Sequence, residues 1–181
     1  MVGAHTDSHT QTATLYLLAV LKPMTQVRLI LAYGDALCRA GLRALLERIP
    51  NLDVVGEASD GHEAVALATR RRPDIAFVED ALPGLRGVEA VPKIVAAVAT
   101  IRVALLSDLA DAQSVATALH AGAKGYILKT SMPIVLGRAV RELMRGRTYL
   151  CAGGSKQLFK GAKGRRGRRP LTPRPREILQ M

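Results

Sequence analysis

The residues best placed to do chemistry follow short apolar runs. Ile75 to Val78 form a continuous apolar stretch bounded by Pro73-Asp74 and Pro83-Gly84, and Glu79 and Asp80 come directly after it. Such a run reads as a strand buried on both faces. In the same way Val27 to Ala32 lead into Tyr33, Gly34 and Asp35, Val103 to Leu106 into Ser107, and Tyr126 to Leu128 into Lys129. Ligands of open α/β sheets bind outside the carboxyl ends of the strands. A carboxylate, a hydroxyl and an ammonium gathered there can bind a phosphoryl group, with Lys129 and Ser107 as its ligands. The residues alone leave a second reading open, in which Lys129 and Glu79 form an ion pair that only closes the rim.

Five strand-helix units must position these groups. The first strand, VRLILA, precedes a helix from about Asp35 to Ile49 whose apolar face holds Cys38, Leu42, Leu45, Leu46 and Ile49. LDVVGEA is the second strand, and Asp60 with Glu63 makes an Asp-x-x-Glu capping pattern for a helix running to Arg71 or Arg72, where Pro73 forces the exit. After the third strand a helix is predicted from about Val88 to Val98. Pro92 removes a donor near the end of its first turn, which predicts a kink or a late start. The fourth strand ends at Ser107, and its helix, Ala110 to Ala121, stops at Gly122. The fifth ends at Lys129, and the last helix runs from about Pro133 to Arg145 with Gly146 just past it. Strict alternation implies parallel strands, right-handed crossovers and helices on both faces, a doubly wound α/β domain.

Composition narrows the function. Hydrophobic residues make up 49% of the chain with two Phe, four Tyr and no Trp, so the core must be aliphatic. The net charge of +11 is concentrated at one end: through Gly137, 13 Lys and Arg face 13 Asp and Glu, whereas from Arg138 onward 13 face 2. A basic tail containing Lys160, Lys163, Arg165, Arg166, Arg168 and Arg169 attracts polyanions, nucleic acid first and an anionic membrane surface second. Its composition also fits a disordered linker between domains. Cys38 and Cys151 lack CxxC or His spacing and read as a reduced, inert pair. Ala13 to Leu21 falls short of the ~20 residues that span a bilayer. It also lacks the flanks of a signal peptide, so a cytoplasmic protein with no membrane partner is expected. No GxGxxG or Walker loop follows the first strand, which counts against a nucleotide-binding enzyme, and no enzyme activity is expected. Residues 1–26 show no period and read as a poorly structured extension.

Residues 27–147 resemble a response-regulator receiver domain of the NarL/FixJ type. The motifs that carry the likeness are LCRAGLRALLERIPNLDVVGEASDGHEAVALA, PDIAFVEDALPGLRGVEA and AGAKGYILK. The resemblance implies a flavodoxin-like five-stranded parallel sheet in the order 2-1-3-4-5. LTPRPREIL, Leu171 to Leu179, is similar to the opening of a LuxR-type helix-turn-helix, with Thr172 as N-cap and Pro173 as first helical residue. Residues 171–181 would then be an incomplete start of that domain, after a basic linker over 148–170.

In that family two acids after the first strand and an Asp after the third hold Mg²⁺, and the Asp is phosphorylated by a histidine kinase. Here Tyr33 and Gly34 fall where the paired acids belong, with Asp35 one residue beyond. Glu79, four residues before Pro83, falls at the phospho-acceptor position, with Asp80 as the displaced alternative. Two expected carboxylates are absent, so Mg²⁺ binding is expected to be lost and no other cofactor is implied. Ser107, Tyr126 and Lys129 match the family's switch hydroxyl, aromatic and lysine, although Tyr126 also reads as an aromatic packed at a strand edge. Glu79 is one methylene longer than Asp, long enough to reach Lys129 and imitate in part the phosphoryl anion. The function implied is an atypical two-component response regulator, a transcriptional regulator whose receiver has lost Mg²⁺-dependent phosphorylation. The rivals are a phosphorylation-competent receiver using Asp80 and a stand-alone pseudo-receiver for protein interaction. Implied partners are DNA, given a complete helix-turn-helix, and a protein at the receiver, a homodimer being one form.

Overall fold

Alternate residues of the central strands turn to opposite sides of one sheet, because successive side chains of a strand point to opposite faces. In β1 (Val27–Ala32), Leu29 and Leu31 join a core with Phe77 and Ile127, while Ile30 and Ala32 join a second core with Val78 and Leu105. The computed structural model describes residues 26–151. The N-terminal extension up to residue 25, the linker from residue 152 and the predicted helix-turn-helix segment lie outside the described residues.

After β1 come α1 (Ala36–Leu46), β2 (Leu52–Ala58), α2 (Gly61–Arg71), β3 (Ile75–Glu79), α3 (Gly87–Ala97), β4 (Arg102–Ser107), α4 (Ala112–His120) and β5 (Gly125–Leu128). A 3-10 turn (Lys129–Ser131), α5 (Leu136–Met144) and β6 (Tyr149–Leu150) complete the described residues. The strand order is β2-β1-β3-β4-β5-β6, and every pair is parallel. Helices α1 and α5 cover one face; α2, α3 and α4 cover the other. This is the doubly wound α/β architecture that the alternation predicts.

The sheet has one strand more than the five expected. Tyr149 and Leu150 pair with Gly125 and Tyr126, and the Cys151 N–H donates to the Tyr126 carbonyl at 3.1 Å. Tyr149 and Cys151 are buried, so the chain stays on the domain past the predicted boundary at 147. Two paired residues are too short to carry a periodic signal, which is why this strand escapes a sequence reading.

Helix starts are set by side-chain caps. Asp35 accepts from the Cys38 N–H at 2.7 Å, Asp60 from Glu63 at 2.8 Å and Asp111 from Ser114 at 2.8 Å. With Asp111 as cap, α4 begins two residues later than predicted. The 3-10 turn after β5 likewise pushes α5 to Leu136, beyond the expected start near Pro133. Pro92 does not delay α3, which begins at Gly87. Pro92 sits on the exposed face, where the carbonyl it leaves unpaired can be solvated. Cys38 was expected on the apolar face of α1 but is exposed: the stripe that packs is Leu42 and Leu46, flanked by Leu45 and Ile49, and the first turn of α1 stands above the sheet rim.

Gly87 holds the loop after β3 against the strand end. Its N–H donates to the Asp80 carbonyl at 2.9 Å, and a Cβ there would stand 2.1 Å from the Glu79 carbonyl oxygen. Only glycine allows that approach.

Candidate functional site

Strand alternation decides which acid meets which base. Glu79 shares a face with Ile75 and Phe77, toward Tyr33, while Asp80 turns to the opposite face with Ala76 and Val78. Glu79 Oε1 accepts from Lys129 Nζ at 2.5 Å, and Oε2 accepts from the Gly34 N–H at 2.8 Å. Both carboxylate oxygens are engaged, in a residue only 6% exposed. Lys129 Nζ also contacts Asp108 Oδ2 at 2.8 Å and stands 5.2 Å from the centroid of the Tyr33 ring, within cation–π range. Burial alone would push the Lys129 ammonium down, but its hydrogen bonds to Asp108 and Glu79 and the Glu79 charge outweigh it, holding the pKa above the usual lysine value. Burial raises the Tyr33 phenol, and the Glu79 charge adds to that while Lys129 opposes it.

Ser107 and Tyr126 meet on the other side of the sheet rim. Tyr126 is fully buried, and its hydroxyl donates to the Leu109 carbonyl at 2.8 Å. Ser107 Oγ accepts from the Leu109 N–H at 3.2 Å, so both hold the loop that follows β4. Burial raises the Tyr126 pKa, with the Ser107 hydroxyl opposing and the Asp80 charge adding. Asp80 Oδ2 faces Arg86 at 3.3 Å, while Oδ1 is buried with no hydrogen-bond partner. Asp80, Arg86, Ser107, Asp108, Leu109 and Lys129 border a cavity of about 220 Å³ between the two groups.

The sequence-derived candidates therefore separate. Tyr33, Gly34, Glu79 and Lys129 meet at one point, and Ser107 and Tyr126 at an adjoining one with Asp80. Asp35 belongs to neither: instead of bordering the acidic pocket as its position predicts, it caps α1, where it is exposed and the Cys38 N–H holds its carboxyl below the usual range. The basic tail residues Lys160, Lys163, Arg165, Arg166, Arg168 and Arg169 lie outside the described residues. Sequence reasoning missed Asp108 and Arg86. Asp108 had a signal, since it is the residue immediately after β4; Arg86, in a loop of no regular period, had none.

The family model of the response regulator receiver domain matches residues 20–141. The chain belongs to the response regulator receiver family. It is 31% identical over 162 residues to the transcriptional regulatory protein YxjL of Bacillus subtilis, covering 86% of this chain and 74% of that relative. To the transcriptional regulatory protein LiaR of the same organism it is 34% identical over 124 residues, covering 68% of this chain and 59% of that relative. The match thus spans between 59% and 74% of these relatives' lengths. A crystal structure of a LuxR-family two-component response regulator from Aurantimonas sp. SI85-9A1 superposes with a TM-score of 0.73 at 30% identity, covering 76% of this chain and 99% of that one.

Resemblance to such receivers implies a Mg²⁺ held by two acids after β1 and one after β3. Mg²⁺ demands hard oxygen ligands in near-octahedral geometry. At the first two positions this receiver has the Tyr33 phenol, a neutral group whose ionisation burial disfavours further, and a glycine without a side chain. At the third, both Glu79 oxygens already accept hydrogen bonds, one from an ammonium. Among the described residues no three His, Cys, Asp or Glu side chains gather as a metal would require. The donor set does not fit the ion. Among the described residues, too, no helix is long and apolar enough to cross a membrane.

Proposed function

We propose that this chain is an atypical two-component response regulator acting in transcription, whose receiver works without Mg²⁺-dependent phosphorylation of an Asp. The engagement of both Glu79 oxygens, by Lys129 and by the Gly34 N–H, supports this most directly. An acceptor carboxylate must turn an oxygen lone pair to the incoming phosphorus, and the anionic donor needs its developing charge neutralised. Each Glu79 oxygen already accepts a hydrogen bond, which fixes its orientation and lowers its nucleophilicity, and Lys129 already divides its charge between Glu79 and Asp108. Lys129 is thus held by an acid of the protein itself, where a phosphoryl group would otherwise hold it. The names of YxjL and LiaR support a role in transcription. DNA would be contacted through a helix-turn-helix beginning near Leu171, and a protein partner, including a second copy, through the receiver. No catalysis is assigned to the chain. Incubation of the full chain with acetyl phosphate and Mg²⁺, read by intact mass, tests the proposal: the mass is expected to stay unchanged, and a Mg²⁺-dependent gain of one phosphoryl group would overturn it.

A second reading has its own observation, the partnerless Oδ1 of Asp80 beside a cavity bordered by Ser107 and Lys129. In that reading Asp80 is the acceptor. A mass gain lost in Asp80→Asn and kept in Glu79→Gln would establish it.

A further inference from the structure

The amino-terminal rim of the sheet, at the pole opposite Glu79, gathers positive charge from separate elements. Arg102 opens β4, Lys124 precedes β5 and Arg147 precedes β6, and together with Thr100 and Gly146 they border a concavity of about 300 Å³. The outer face of α5 continues from it. Arg138, Arg141 and Arg145 are exposed at helical spacings of three and four residues. At 1.5 Å of rise per residue they form a row roughly 10 Å long that ends at the concavity. Glu142 is the acid on this surface, contacted by Arg145 at 3.1 Å and by Arg147 at 3.2 Å. Among the described residues, the side chains of Lys124, Arg138 and Arg141 have no hydrogen bond or ion pair.

Local structure accounts for only part of this charge. Helices α3, α4 and α5 end at this rim, α4 shortly before Lys124, and each carboxyl end is equivalent to about half a negative charge. Three helix ends and Glu142 offset roughly two to three of the six cations, so roughly three to four remain. Asp74, next to Arg102 across the β3–β4 pair, turns its carboxylate away, to the Arg28 N–H of β1 at 2.8 Å.

We infer that this face of the receiver binds phosphates along the backbone of a nucleic-acid duplex, without reading base sequence. A row of fixed cations running into a basic concavity matches a chain of phosphates better than a single anion. An acidic protein would be expected to need apolar anchors as well, since the core of a protein interface is apolar and depleted of charge. Among the described residues, the exposed large apolar side chains, Leu37, Leu109 and Ile134, all lie at the carboxyl rim instead. The inference rests on the DNA-directed part of the proposed function and adds a second phosphate contact to it, on the receiver itself.

The test is fluorescence anisotropy of a labelled duplex of scrambled sequence, titrated with the full chain at several salt concentrations. Lys124→Gln/Arg138→Gln/Arg141→Gln is compared with its parent in two backgrounds, the natural tail and a tail with Lys160, Lys163, Arg165, Arg166, Arg168 and Arg169 all changed to Gln. Because these three side chains make no hydrogen bond or ion pair among the described residues, the triple variant should melt like its parent. It is expected to lower the slope of log K against log salt by about 2 to 3 in both backgrounds, near 0.9 per lost phosphate contact. An unchanged slope and affinity in the neutral-tail background overturns the inference, even if the tail binds DNA. So does preferential binding of poly-glutamate over the duplex. Absence of duplex binding by every form overturns it too, while leaving the phosphodonor result on the receiver to stand or fall separately.

Discussion

Lys129 Nζ lies 2.5 Å from Glu79 Oε1, a contact across 50 residues that joins β5 to β3 over the intervening β4. With Asp108 at 2.8 Å on the same ammonium, three consecutive strands are tied at their carboxyl ends by one side chain.

Removing that cation leaves Glu79 buried with the Gly34 N–H as its remaining hydrogen-bond partner. Lys129→Met is expected to lower stability by about 1–3 kcal/mol, less than a fully buried pair because Asp108 is exposed to solvent screening. Urea denaturation measures it. The sign of the pH dependence follows from the raised Lys129 pKa. The pair's contribution is fully present below the ordinary lysine value and is lost only as pH rises through the folded one. The gap between the natural protein and Lys129→Met should therefore be constant from about pH 7 to 9 and shrink only above about pH 10. A gap that closes on mild alkalinisation would sink the assignment.

Restoring phosphorylation should take three substitutions. Glu79→Asp alone still leaves Tyr33 and Gly34 without carboxylates for Mg²⁺. Tyr33→Asp/Gly34→Asp/Glu79→Asp is expected to bind Mg²⁺ in calorimetric titration and to gain one phosphoryl group from acetyl phosphate. Gly34 is not among the glycines with positive φ, so its backbone accepts Asp. A Cβ there would stand 3.3 Å from Pro83 Cδ and 3.5 Å from Glu79 Oε2, and the shorter Asp at 79 withdraws that oxygen. Phosphorylation of the single variant would show that the missing acids are not what limits the site.

Two glycines should respond in opposite directions. In Gly87→Ala the new Cβ meets the Glu79 carbonyl, forcing the loop after β3 off the strand end, so a loss of about 4 kcal/mol or failure to fold is expected. Gly41 sits in the interior of α1 with nothing within 4 Å of a built Cβ. Gly41→Ala should raise stability by about 0.5–1 kcal/mol. Thermal melts of the two variants check this, and a neutral Gly87→Ala would contradict the close approach.

Acid should loosen the helix caps. The Asp111 carboxyl is held below its usual range by the Ser114 N–H and hydroxyl, as Asp35 is by Cys38. A depressed pKa contributes stability that is present above the unfolded value and lost as pH falls through the folded one. The natural protein should exceed Asp111→Ala in stability at neutral pH, and the difference should fade below about pH 4. A difference that persists at about pH 2 would mean that the carboxylate charge plays no part in the cap.

How much of this was legible in the amino-acid order depends on whether the cause is local. VRLILA and LDVVGEA coincide residue for residue with β1 and β2, because an apolar run bounded by turn residues carries its own evidence. The strand ends followed, and with them the collection of Tyr33, Glu79, Ser107 and Lys129 on one rim. The absence of side-chain carboxylates at Tyr33 and Gly34 was equally visible. Only the tertiary structure decided that Asp35 caps α1 rather than facing the pocket, that Tyr149 and Leu150 extend the sheet, and that Cys38 is exposed. It alone put Asp108 on Lys129, and it alone brought Arg102, Lys124 and Arg147 together at the far rim. Along the chain those three bases are 22 and 23 residues apart, too far for any one stretch to show them as a cluster. They meet because parallel strands joined by crossover helices align their amino ends, and that alignment is set by strand register and helix packing, which no local run of residues specifies.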